Sequence, residues 1–353
     1  MNRVSLFEYV GNMHIHTDHS DGAASAQHIA TVARSAGLDF MALNDHSYLT
    51  ALHREEEGYY KGVLVLVGSE IGTRFHHYLA FDIEEQVGGE DYSPQEVIDA
   101  VNRQGGFGFV AHPFEKGMPF LEGGTAYTWN DWSVYGFTGI SIWNFTSRWK
   151  ENVKTLWHGI FHLIFKAYTL KAPSRKTLAT WDELSQQSRV VAVGGSDAHG
   201  SSVKLGPFRF RPLSYRFLLG TINTHILTFS PLTGDLVTDR EIVYHALKIG
   251  KCFVAHDGLF PAHGFRFFFT SNKGRERLEM GEEASYSPGA ATIEIPRSAL
   301  IRVVRNGSLL KRHYGKELSL KIEEPGVYRV EVYKRTLVFG WRPWIFSNPI
   351  YLR

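Results

Sequence analysis

Cysteine is nearly missing: Cys252 is the single one in 353 residues, which excludes an intrachain disulfide framework and a thiolate zinc cluster. No run approaches the roughly 18 apolar residues that a spanning helix needs. The opening MNRVSLFEYVGN lacks the apolar core of a signal peptide. A reducing, cytoplasmic setting is therefore expected. Charge of one sign is also lacking: 38 basic and 36 acidic side chains leave a net charge of +2, which excludes a strongly basic nucleic-acid binder on bulk electrostatics. With no basic stripe interleaved with aromatics, no nucleic-acid polymer is expected as a partner. Internal repeats and low-complexity linkers are absent too. What is present is the composition of a folded chain, 43% hydrophobic and 21% charged, with one chemical excess: 17 histidines.

The length suggests two domains, at about 150 residues each. From residue 10 to about 255, short apolar runs alternate with amphipathic stretches. Runs at 13–16, 40–44, 63–68, 77–81, 106–111, 139–143 and 190–194 are rich in Val, Ile, Leu and Phe and bounded by Gly, Asp or Pro, as buried parallel strands are. Between them, 25–37, 93–106 and 239–250 read as helices. The second opens on Ser93 and Pro94 and stops at Gly105-Gly106. Such alternation over about 250 residues has the size of an α/β barrel. After about residue 260 the texture changes to short strands with turns at Arg305-Asn306-Gly307 and Glu324-Pro325-Gly326, expected to form a small C-terminal antiparallel β-sandwich. The expected division is a barrel at 1–260 and the sandwich at 261–353.

Ionisable residues fall at the ends of those strands. His14 and His16 close the first, with Asp21 in the loop beyond; His46 follows the second and Glu70 the third. His77 opens the next segment, His112 follows GFGFVA, and Asp197 and His199 follow VVAVGG. In a parallel barrel the C-terminal strand ends meet at one rim, so residues over 180 positions apart would share a pocket. His14 and His16 are two apart and would face the same way on a strand, as would Asp197 and His199. Six imidazoles and three carboxylates exceed one four-coordinate ion and suffice for two or three. A nitrogen and oxygen set without sulfur suits zinc, manganese or iron.

The segments HIHTDHSDG, NDH, GSE, HYLAF, AHPF and GSDAH, in that order over residues 10–200, resemble the motifs of the PHP (polymerase and histidinol phosphatase) metal-dependent phosphoesterases. The resemblance implies a distorted (β/α)7 TIM-like barrel with a trinuclear site. It places His14, His16, Glu70 and Asp197 around one metal, and Glu70 with His77 and His112 around a second. Asp21, His46 and His199 would hold the third. Asn44 stands where the family usually has threonine. The stretches GPF, NTHILTF and RPWIFSNPIYLR and the C-terminal strands are more loosely similar to the carbaryl hydrolase-like branch.

The expected activity is phosphoester hydrolysis by direct attack of a metal-bridging hydroxide, with Glu70, Asp197 and His199 as the catalytic group. No GxSxG nucleophile elbow is present. The substrate would be a small-molecule or nucleotide phosphoester. Arg74, Arg148 and Lys204 are candidates to grip its charge, and His225 to line the site. The same centre could cleave a carbamate, ester or amide, an aryl carbamate favouring Trp143, Phe145 and Trp149 around it. A non-catalytic metal-bound interaction module is the third alternative. In the stretch 151–173, Lys154, His158, His162 and Lys166 form one polar stripe on an otherwise apolar helix. Such a helix would either touch a membrane surface through 151–170 or clamp over the pocket mouth or between subunits with its stripe in solvent.

Overall fold

The computed structural model describes residues 6–73, 75–89, 91–120, 126–205, 208–272 and 277–353, and only the backbone of 203–205 and 208–210. It is a mixed α/β structure built on one large sheet. Seven strands lie side by side in the order Val191–Gly195, Gly139–Asn144, Phe107–Val110, His77–Phe81, Val63–Gly72, Phe40–His46 and Phe7–Ile15. Four of the six pairings are parallel. The strand His77–Phe81 breaks the pattern, because it runs antiparallel to both neighbours. The two ends of this row meet through a single parallel bridge, Ile15 to Ala198, so no continuous ladder closes it. The regular alternation expected of a TIM-like barrel is thus interrupted at His77–Phe81 and left open between the first and last strands.

Alternation of side chains explains why these segments are strands. Met41, Leu43, Val63, Val65 and Val67 point to one face and pack with Ile29, Ala33, Val97, Ile98 and Val101 of the covering helices. Phe40, Ala42, Leu64, Leu66, Leu79 and Phe81 point to the other and form a second core. Both faces are apolar, as strands buried on two sides require. The helix Pro94–Arg103 is fixed at its start by a reciprocal pair: the Ser93 hydroxyl accepts from the Glu96 amide and the Glu96 carboxylate accepts from the Ser93 amide. Its Val97, Ile98 and Val101 are fully buried, each contributing about 2 kcal/mol. The helix Leu236–Lys248 starts three residues earlier than its sequence pattern suggests. Asp235 caps it, and Asp239 instead accepts from the amides of Thr233 and Gly234 and from the Tyr59 hydroxyl. Gly139 is needed where it stands, since a Cβ there would lie 1.9 Å from the Val191 carbonyl oxygen of the adjacent strand.

The sheet continues from Phe7–Ile15 antiparallel through Ile222–Thr228, Cys252–His256 and Gly340–Ser347. It therefore runs without interruption into the C-terminal strands. These are antiparallel, apart from the short parallel pairing of Glu283–Ala284 with Ile350–Leu352. They enclose their own core of Phe267, Phe269, Ile293, Ile301, Val330, Val332 and Trp344. Two segments that read as separate strands are one, Gly289–Arg305, with a register shift between Glu294 and Ala299. It turns into Ser308–Ile322 through Asn306 (φ 49°) and Gly307 (φ 77°), the residue pair that a two-residue hairpin with left-handed backbone favours.

The stretch 151–173 leaves much of its apolar arc in solvent. Its helix Leu156–Ile164 has no buried residue. Trp157 is 76% exposed and Ile164 67%. Two members of the polar stripe turn partly inward instead: the Lys166 ammonium donates to the Pro212 carbonyl and covers the Phe217 ring, and His162 is half-buried.

Candidate metal centre

The strand register assembles the site. His46 and Glu70 are direct partners across adjacent parallel strands, and Gly72 partners His77 across the next pair. The reversed direction of His77–Phe81 brings its first residue, rather than its last, to the rim where Glu70 lies. On the other side, the His16 amide donates to the Ala198 carbonyl and the Ala198 amide to the His14 carbonyl. That bridge sets the HIH and SDAH segments side by side. His112 and Asp197 both have left-handed backbone, φ 26° and 54°, a strain of about 1 kcal/mol or more for such residues, typical of functional sites. The Thr146 hydroxyl steadies the second of these by donating to the carbonyls of Ser196 and Asp197.

All nine side chains proposed as ligands come together. Glu70, 1% exposed, is the hub: its Oε1 lies 2.9 Å from His77 Nδ1 and 3.0 Å from His112 Nε2, and its Oε2 lies 3.1 Å from His14, 3.3 Å from His16 and 3.3 Å from His46. Asp197 Oδ1 lies 3.3 Å from His16 Nε2 and 3.6 Å from His14 Nε2. Asp21, more exposed, reaches His199 at 3.2 Å and His46 at 3.6 Å. Three groups have donor atoms mutually within 4.8 Å: His14, His16, Glu70 and Asp197; His16, Asp21, His46 and His199; and His46, Glu70 and His77. The first is the quartet implied for one metal. The second adds His16 to the expected trio. In the third, His46 stands where His112 was expected, although His112 still touches Glu70. His76 is turned elsewhere, toward Asn130, and His19 pairs with Glu56.

The electrostatics of this cluster are those of crowded ligands. Burial pushes the His14 pKa down and outweighs the nearby Glu70 and Asp197. Burial also opposes charge on His16, but hydrogen bonds to Asp197 and Glu70 prevail and raise it to about 10. His112 is raised to about 9, burial being overcome by Glu115 and Glu70. Glu70 and Asp197 are held well below the usual carboxylate range: the surrounding imidazoles, His14 foremost, outweigh a burial that would raise them. The His14 and His16 Nε2 atoms face one another at 3.0 Å. Buried His16 Nδ1 has no hydrogen-bond partner, with Asp21 Oδ1 3.6 Å away. Buried carboxylates and imidazole lone pairs converging in this way fit divalent cations held between them.

The cluster forms the floor of an open cleft of about 1240 Å³. Its walls include Tyr48, Thr73, Glu115, Tyr127 and Lys150, and Tyr127 stacks on His77 at 4.3 Å. Of the candidates for gripping substrate, Arg74 and the Lys204 side chain lie outside the described residues. Arg148 is half-buried, pairs with Glu151 and donates to the Ala172 carbonyl. His225 is not in the cleft; both its ring nitrogens are engaged, by Glu8 and Asp257 at 2.9 Å each. Trp143, Phe145 and Trp149 belong to the core. Lys150, the last residue of the helix that Asn144 caps, is a cleft cation that sequence reasoning passed over. Its place beside Arg148 and Trp149 in TSRWK was the available signal.

No family model matches the chain. An uncharacterised protein of Methanocaldococcus jannaschii is 27% identical over 117 residues, covering 29% of this chain and 67% of that one. Solved structures are similar as well, among them these three. A two-domain Bacteroides vulgatus protein containing a predicted PHP-like metal-dependent phosphoesterase covers 97% of this chain and 95% of its own, at 15% identity and a TM-score of 0.45. A structure from Bifidobacterium adolescentis described as a metal-dependent phosphoesterase covers 56% and 91%, at 16% identity and 0.33. An amidohydrolase from Chromobacterium violaceum covers 57% and 98%, at 14% and 0.32. The likenesses are loose, and the functional reading rests on the side chains. They lend no support to the carbaryl hydrolase-like branch.

Among the described residues no helix is long and apolar enough to cross a membrane.

Proposed function

We propose that this chain is a metal-dependent hydrolase that cleaves phosphoesters of small molecules or nucleotides. The observation that carries the reading is the convergence on Glu70 of five imidazoles within 3.3 Å, flanked by Asp197 and Asp21. His14, His16, Glu70 and Asp197 would hold one cation, Asp21, His46 and His199 with His16 another, and Glu70 with His77 and His112 or His46 a third. Bound divalent ions would supply Lewis acidity and bring the pKa of a coordinated water toward neutrality.

The chain's own groups do the rest. His199 Nδ1 lies 3.0 Å from the Asp197 carbonyl, so it carries the proton there and turns the Nε2 lone pair to the cluster; His199 is thereby a ligand and not a proton donor. Lys150 brings positive charge to the cleft wall, where a phosphoryl group needs it. Trp143, Phe145 and Trp149, the aromatics that would favour an aryl carbamate, are buried in the core; Tyr48 and Tyr127 remain in the cleft wall, and Lys150 is what puts the phosphoester reading ahead. A distorted PHP-type barrel at 1–260 with a β-sandwich at 261–353 is the corresponding domain reading.

The test is metal analysis of the purified protein with a panel of phosphomonoesters, phosphodiesters and aryl carbamates. Bound metal and turnover of a phosphoester are expected, and Glu70→Gln should lower kcat/KM at least about hundredfold together with metal content. Turnover of carbamates alone, or full phosphoesterase activity in the Glu70→Gln protein, would refute the proposal.

A further inference from the structure

Several of the most exposed apolar side chains gather on one face outside the cleft. Helix Leu156–Ile164 presents Leu156, Trp157 and Ile164, 58%, 76% and 67% exposed. The hairpin between Gly326–Thr336 and Gly340–Ser347 lies against it. Its Phe339 contacts the rings of Phe161, Phe165 and Tyr168 at 6.4, 5.2 and 5.3 Å. Beside Phe339, Leu337 stands fully in solvent and Val338 is 83% exposed. Trp341 extends the face to the ring of Tyr314 on the strand Ser308–Ile322, 6.2 Å between centroids. Water is a poor environment for so continuous an apolar surface, and such patches mark interaction sites.

Charge identifies the occupant. Residues 152–171 contain Lys154, Lys166 and Lys171 and no acidic residue; 332–344 contain Lys334, Arg335 and Arg342 and none; 308–316 contain Lys311, Arg312 and Lys316 and none. The whole chain is nearly balanced, so the three segments that build this face are set apart from it. Arg335 is the cross-strand partner of Trp341, and Arg342 donates to the Phe339 carbonyl, which places cations at the edge of the apolar tip. A second copy docking face to face would oppose like charges. A nucleic acid would find exposed aliphatic side chains where it needs stacking platforms. Aliphatic and aromatic groups ringed by cations match the interface of an anionic bilayer.

We infer that this face, helix Leu156–Ile164 with the hairpin tip at Leu337–Phe339, binds the surface of anionic lipid membranes. The helix also reaches the cleft: Trp149 donates from Nε1 to the His162 carbonyl, 3.2 Å, and its neighbour Lys150 lines the cleft wall. The inference stands whether or not the cleft hydrolyses phosphoesters.

Flotation with vesicles tests it. The full chain should rise with phosphatidylcholine vesicles containing about a third phosphatidylglycerol at low salt, and stay behind with phosphatidylcholine alone or at high salt. Trp157→Glu with Leu337→Glu, two changes at solvent-facing positions, should cut partitioning at least about tenfold while leaving the thermal unfolding curve unchanged. Lys154→Glu with Arg335→Glu should do the same. Failure of the folded native chain to float with anionic vesicles would overturn the inference, as would equal flotation of the Trp157→Glu, Leu337→Glu protein. Concentration-dependent dimerisation by light scattering, without flotation, would assign the face to self-association instead.

Discussion

His225 offers a sharp test of the electrostatics, away from the metal centre. Its strand register pairs it with Val10, four residues before His14, so it lies about 13 Å down the sheet from the cluster. The ring is buried between Glu8 and Asp257, each 2.9 Å from a ring nitrogen, and stacks on Phe253. Burial alone would lower its pKa from 6.5, but the two carboxylates prevail and raise it to about 9. The folded protein thus holds a proton that the unfolded chain releases from pH 6.5 upward. The resulting stabilisation is complete below 6.5 and drains away as pH rises through 9. At about 1.4 kcal/mol per pH unit the loss is about 3 kcal/mol. With about 2.1 cal/mol/K of unfolding entropy per residue, that is about 4 °C in Tm for a chain of this length. The opposing losses from Glu8 and Asp257, both lowered, fall at acid pH and leave this window clean. The perturbation is His225→Gln, and the assay is Tm of both proteins from pH 6 to 10. The native chain should be more stable at pH 6.5, and its lead should shrink by about 4 °C by pH 9. A constant gap would refute a protonated His225. Metal linkage cancels in the comparison, because sites this far apart are nearly additive.

Arg329, 3% exposed, joins Asp182 of the helix Arg175–Gln187 through two hydrogen bonds of 2.6 and 2.8 Å and Glu331 through one of 2.8 Å. Arg329→Ala strands buried carboxylates and should cost about 3–5 kcal/mol in urea denaturation, with Asp182→Asn/Arg329→Met recovering much of it. Lys150→Ala should raise KM for phosphorylated substrates about tenfold with kcat little changed, as steady-state kinetics would record.

The ligand set was legible because each member sits at the end of a strand, where local hydrophobic pattern and i,i+2 spacing are informative. Its geometry was less so. Nothing local to HYLAF announces that its strand runs backwards, yet that reversal puts His77 beside Glu70. Tyr127 reaches the cleft through tertiary placement and carries no pattern of its own, and Lys150 has only its neighbours Arg148 and Trp149 to mark it. The two runs ATIEIP and LIRVVR belong to one strand, Gly289–Arg305, because long-range pairing carries the chain through with a register shift. Residues 156–164 show the limit of periodicity most plainly: an apolar arc fixes a helix but not whether it faces the core.

The unbroken pairing of Cys252–His256 with Gly340–Ser347, reinforced by the Asn348 amide reaching the carbonyls of Ala192 and Cys252, has a practical consequence. A fragment ending near residue 260 would bare the hydrogen-bonding edge of a central strand and lose the side chain that seals the layer behind it. Such a fragment would be sticky and short-lived. The C-terminal quarter is therefore an integral wall that expression work must retain, and an exchange of tails between homologues would have to carry this seam intact.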